Sequence, residues 1–126
     1  MGFNWRQFLC TSNVLMRQRR VQEPHLRSAV SRAYYAAYHV AKEYAETRGG
    51  KQSHYPVSGS HEWVARWYTD HGHTGISSLL LDLRKQRKVA DYVLNIRKSS
   101  IVVNQAWAEE VHSDAVQLIQ AVSKLP

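Results

Sequence analysis

An arginine falls where the helical pattern calls for a core residue. Ile76, Leu80, Leu83, Arg87, Ala90 and Leu94 share one stripe of a helix, five of them apolar and one cationic. A guanidinium on such a stripe needs an acceptor, because an unpaired buried charge costs several kcal/mol. Asp91, one turn further on, can supply the carboxylate. Two readings stay open. Either Arg87 and Asp91 lock two helices together, or Arg87 faces a cleft and holds a phosphate, with Arg84 and Lys88 extending the same anion site.

A second polar stripe consists of Ser28, Arg32, Tyr35, His39 and Glu43. Arginine, tyrosine and histidine on one face suit RNA binding or acid–base chemistry near neutral pH. A hydrogen-bonded flank at a helix or subunit boundary would use the same residue types. Five further histidines or acids, His54, His61, Asp70 and the His71/His73 pair, raise the question of a metal. A His-x-His pair in a loop, without further ligands at known spacing, does not make a zinc site, and neither metal nor cofactor is expected. Basic runs lie at Arg17, Arg19 and Arg20, at Arg84 to Lys88, and at Arg97 and Lys98. Converging in space, they would make a phosphate-tracking surface; singly, they are solvated faces. No glycine-rich phosphate loop, nucleophile elbow or paired-carboxylate motif occurs.

The elements that must position these groups read as helices. Asn4 can cap a first helix to about Arg20, with Trp5, Phe8, Leu9, Ser12, Leu15 and Met16 on one side. A second, long helix should run from about Pro24 to Thr47 and stop at Gly49-Gly50. Its core stripe is Leu26, Val30, Ala33, Tyr34, Ala37, Ala41 and Tyr44, and its alanines admit a close neighbour. A polar loop from Lys51 to Gly59 leads to a short third helix, Ser60 to Asp70. The fourth spans about Gly75 to Leu94 and the fifth about Asn104 to Lys124, with Ala108, Val111, Ala115, Leu118, Val122 and Leu125 as its seam. Ile101 to Val103 could form a short extended piece, but one strand has no partner here. The expected fold class is all-α, an up-and-down bundle of about five helices.

Composition agrees. The chain has 126 residues, 44% of them hydrophobic, which suits one globular domain. Seventeen Lys and Arg against ten Asp and Glu give a formal charge of +7, a balance that favours polyanionic partners. The single cysteine, Cys10, excludes an internal disulfide and a cysteine-rich zinc site. No run approaches the ~18 apolar residues that cross a bilayer. With no signal-peptide apolar region at its start, the chain is expected to be cytoplasmic and not membrane-bound.

Arg27 to Ala41 (RSAVSRAYYAAYHVA), Leu83 to Tyr92 (LRKQRKVADY) and the alanine-bearing last helix together resemble a HEPN domain, over about Pro24 to Leu125. The resemblance implies a small helical up-and-down bundle, commonly a homodimer, of the kind found in prokaryotic toxin–antitoxin and defence modules. It also implies a minimal nucleotidyltransferase as a partner and, for active members, metal-independent endoribonuclease activity. Active members use an arginine, a polar neighbour, and a histidine five to seven positions after the arginine. Arg87 matches the arginine and Lys88 the neighbour, but Tyr92 stands at the nearest histidine position, and neither Val93 nor Leu94 restores it. Tyrosine, with a pKa near ~10, is a poor base for a 2′-hydroxyl proton.

The expected function is therefore a HEPN-type module that binds RNA, a nucleotide or a partner protein without the complete ribonuclease motif. Its binding residues would be Arg32, Tyr35, Arg84, Arg87, Lys88 and Asp91. The alternative is a working ribonuclease toxin with Arg87 on the phosphate and Tyr92 or His39 replacing the base. A purely structural dimeric scaffold is the third reading.

Overall fold

The computed structural model describes residues 4–18, 22–92 and 104–126. They form α1 (Trp5–Met16), α2 (Glu23–Thr47), α3 (Glu62–Asp70), α4 (Thr74–Tyr92) and α5 (Gln105–Ser123), with a 3-10 turn at Gln52–His54 in the loop before α3. No strand occurs among the described residues, so the class is all-α. The helix boundaries are shorter at several ends than the periodicity suggests. α1 stops at Met16, with Arg17 as its C-terminal cap, rather than near Arg20. Ser60 does not open α3; its carbonyl instead accepts the Tyr38 hydroxyl at 2.9 Å. The last residues expected in helix four, Val93 and Leu94, and the Ile101–Val103 triplet lie outside the described residues.

Local chemistry explains the starts and stops. The Asn4 carboxamide accepts from the Gln7 N–H at 3.3 Å, and the Asn104 carboxamide accepts from the Trp107 N–H at 2.8 Å. Each satisfies one of the donors that a helix N-terminus leaves over. α2 ends as expected at Gly49, whose φ of 86° is left-handed backbone that glycine adopts without cost.

α2 is the hub: it packs against α1, α3, α4 and α5. That explains why its buried set is wider than one stripe, since Ala29, Ala36, Tyr38 and Ala45 are buried along with Leu26, Val30, Ala33, Tyr34, Ala37 and Ala41. Six alanines on 25 residues let several backbones come close at once. Ser12 of α1 meets both Ala29, early in α2, and His112, early in α5. Trp5 at the start of α1 borders Tyr44 and Val122, late in those two helices. α1 therefore runs antiparallel to both α2 and α5. Arg27 reaches the carbonyls of Val89 and Ala90 while Tyr35 reaches Arg87, which sets α4 antiparallel to α2 as well.

Candidate functional site

Position 87 does fall in the core of the bundle. Ile76, Leu80, Leu83, Arg87 and Ala90 are all buried, and Arg87 is 8% exposed. Burial forces the guanidinium to find partners, and it finds three kinds. Arg87 Nη1 donates to the Tyr35 hydroxyl at 3.2 Å and lies 3.4 Å from Asp91 Oδ2. Its carbon sits 5.4 Å from the Tyr34 ring centroid and 5.6 Å from that of Tyr35, within cation–π range. The Asp91 contact is long for an ion pair, so the tyrosines share in holding the charge.

α2 meets α4 through residues four apart. Arg27 donates to the Val89 and Ala90 carbonyls at 2.9 and 3.1 Å, Ser31 donates to Asp91 Oδ1 at 2.6 Å, and Tyr35 meets Arg87. These three positions lie on one face of α2, as helical geometry requires of i, i+4 and i+8. Arg27 and Ser31 had no part in the polar stripe read from sequence, although their spacing with Tyr35 carries the signal.

Beside this seam opens a cleft of about 510 Å³, lined by Phe8, Ser28, Ser31, Arg32, Tyr35, His39 and Asp91. α2 forms its floor, α1 contributes Phe8 and α4 contributes Asp91. Arg32 is exposed and lies over the Phe8 ring, 5.3 Å from its centroid. The Tyr35 and His39 rings are near-parallel, 6.3 Å apart at 28°. Burial, and then the Lys42 ammonium, hold the His39 imidazole below its ordinary pKa. A neutral imidazole near pH 7 can accept a proton.

Five of the sequence-derived site residues thus gather at or beside one cleft: Arg32, Tyr35, His39 and Asp91 line it, and Arg87 sits behind Tyr35 and Asp91. Arg84 and Lys88 go elsewhere. Arg84 Nη1 pairs with Glu62 of α3 at 2.9 Å, and the exposed Lys88 also draws the Glu62 carboxyl pKa down. Tyr92 closes α4, and its side chain lies outside the described residues.

A second imidazole near Arg87 is His61, which the sequence reading weighed only as a metal ligand. Tyr34 and His61 share a 2.7 Å hydrogen bond, and the His61 ring stacks on Tyr38 at 4.4 Å. Burial pushes the Tyr34 hydroxyl pKa up, so it stays a neutral phenol beside the imidazole. Burial, then Arg87 and Arg84, depress the His61 pKa. Nothing local marks His61 as a neighbour of Tyr34, 27 positions away. Two other residues weighed for metal take separate partners: His71 Nδ1 donates to the Trp67 carbonyl at 2.8 Å, and the Asp70 carboxylate accepts from Tyr55 at 3.1 Å. Among the described residues, no three metal-ligating side chains gather. No helix there is long and apolar enough to cross a membrane.

The fold and site define a helical bundle with a polar, aromatic-lined cleft over its longest helix. Comparison of the chain with family models, curated proteins and solved structures returns no match.

Proposed function

We propose that this chain is a HEPN-type module of a prokaryotic toxin–antitoxin or defence system that binds RNA or a nucleotide in the cleft over α2. The observation that carries this reading is the lining itself. An exposed guanidinium, two near-parallel aromatic rings, hydroxyls and a carboxylate border one opening of nucleotide dimensions. In this arrangement Arg32 meets the phosphate, because among the described residues it is the cation that lines the cleft. Arg87 acts from behind, orienting Tyr35 and Asp91. The chain's +7 charge adds a sequence-independent attraction to polyanions. A homodimer and a minimal nucleotidyltransferase partner belong to the same reading through the resemblance.

Electrophoretic mobility of a short single-stranded RNA tests it. The purified protein should retard the RNA, intact, with an affinity that falls steeply as salt rises. Arg32→Ala should weaken binding and lower the salt slope by about one while leaving the far-UV circular dichroism unchanged. No retardation at low salt would defeat the proposal.

One observation favours a second reading, the metal-independent ribonuclease. His39 lines the cleft with its pKa held down, so an imidazole able to take a 2′-hydroxyl proton stands where substrate would lie. RNA cleavage lost in His39→Gln, with binding kept, would select this reading.

A further inference from the structure

Building on the nucleotide reading of the cleft, we infer that its preferred ligand carries a guanine base, recognised by the Asp91 carboxylate. Asp91 lines the cleft and its side chain is 28% exposed, so one edge of it remains open to a ligand. Two donors from two helices set its orientation. Ser31 of α2 donates to Oδ1 at 2.6 Å, and Arg87 of α4 lies 3.4 Å from Oδ2. A carboxylate offers about four lone-pair positions, so one on each oxygen remains after these contacts. The result is a pre-oriented pair of acceptors.

Among the four RNA bases, guanine alone presents two adjacent N–H donors on its pairing edge, at N1 and at the 2-amino group. Uracil places its one N–H between two carbonyls, which a carboxylate repels. Adenine and cytosine each set an amino group beside an acceptor nitrogen. Stacking on the near-parallel Tyr35 and His39 rings is open to every base. Selection must therefore come from the edge, and among the described residues Asp91 is the only carboxylate lining the cleft.

Charge also sets the direction of binding. A phosphate placed against Asp91 would be repelled, whereas Arg32 offers it a guanidinium at the α1 side of the cleft. A nucleotide thus lies across α2 with its base toward α4 and its phosphate toward α1. The cleft volume of about 510 Å³ falls in the usual range for small-molecule sites.

Titration of the full chain with GMP, AMP, CMP, UMP and IMP, followed by NMR chemical shifts, tests the inference. GMP should bind at least about tenfold more tightly than AMP, the discrimination expected of a bidentate pair. IMP keeps the N1–H but lacks the 2-amino group, and its affinity should fall at least about fivefold below that of GMP. Asp91→Asn should erase the preference; because that change touches the α2–α4 seam, the IMP comparison stands on the unaltered protein. A five-nucleotide RNA with one central guanine, against its all-adenine counterpart, distinguishes a base in a strand from a free nucleotide. Preference for the guanine strand alone supports the inference with RNA as the source. Equal binding of GMP, AMP and IMP, or of both strands, overturns guanine recognition and leaves the nucleotide reading intact. If neither nucleotides nor strands bind, both fall.

Discussion

Arg87 illustrates how one buried charge organises its surroundings. Its guanidinium is satisfied by a hydroxyl, a carboxylate and two aromatic faces, and the same partners include two residues that line the cleft. Nearby cations in turn disfavour protonation of the imidazoles. His39, His61 and His112 all have pKa values lowered first by burial, with Lys42, Arg87 and Arg17 respectively as the leading charges. A lowered folded-state pKa means the unfolded chain binds more protons, so stability rises with pH through this range. The contribution is complete above the unfolded histidine pKa of about 6.5 and is lost as pH falls below it. The urea midpoint should therefore decline between pH 7 and pH 5, and His61→Gln should flatten that decline. A midpoint constant over this interval would contradict the assignment.

Elements meet closely here because small residues sit where backbones approach. Gly50, just past the end of α2, shows the limit of this economy. A Cβ there would lie 2.8 Å from the Ala45 carbonyl oxygen and 2.9 Å from Trp67 Cδ1. Neither neighbour can yield cheaply, since one is backbone and Trp67 is only 4% exposed. Gly50→Ala should cost about 1–3 kcal/mol of unfolding free energy, the range for overpacking, measured by urea denaturation. An unchanged midpoint would mean that the close approach of α2's end to α3 is absent in solution. The seam between α2 and α4 is built on another economy, i, i+4 spacing, which puts Arg27, Ser31 and Tyr35 in register with the end of α4.

For the molecule as a whole, one hydroxyl joins three helices. Ser12 is fully buried and donates its single proton to the Ala29 carbonyl at 2.8 Å. The 3.0 Å contact with His112 Nδ1 must then be donated by the imidazole. Ser12→Ala would leave the His112 N–H of α5 without this acceptor and take from the Ala29 carbonyl of α2 the hydrogen bond it accepts beyond its helical one. The expected loss is about 1–3 kcal/mol in a single cooperative transition, seen as a lower urea midpoint with unchanged slope. A change within ~0.5 kcal/mol would show that the three-helix junction does not carry that load.

By itself the chain determined its helices and their inward faces. Residues three and four apart share a face whatever lies opposite, so Leu26 to Ala41 and Ala108 to Val122 declared their burial through local periodicity. It also determined that Arg87 needed acceptors, because dehydration penalises a lone charge at any buried position. Tertiary structure decided which acceptors those were. Tyr35 reaches Arg87 across 52 positions, Glu62 takes Arg84 across 22, and Tyr34 finds His61 across 27. The cleft exists only because α1 and α4 stand on either side of α2, bringing Phe8 and Asp91 to one opening. Spacing along a helix encodes which side a residue faces, but not which distant helix will come to meet it.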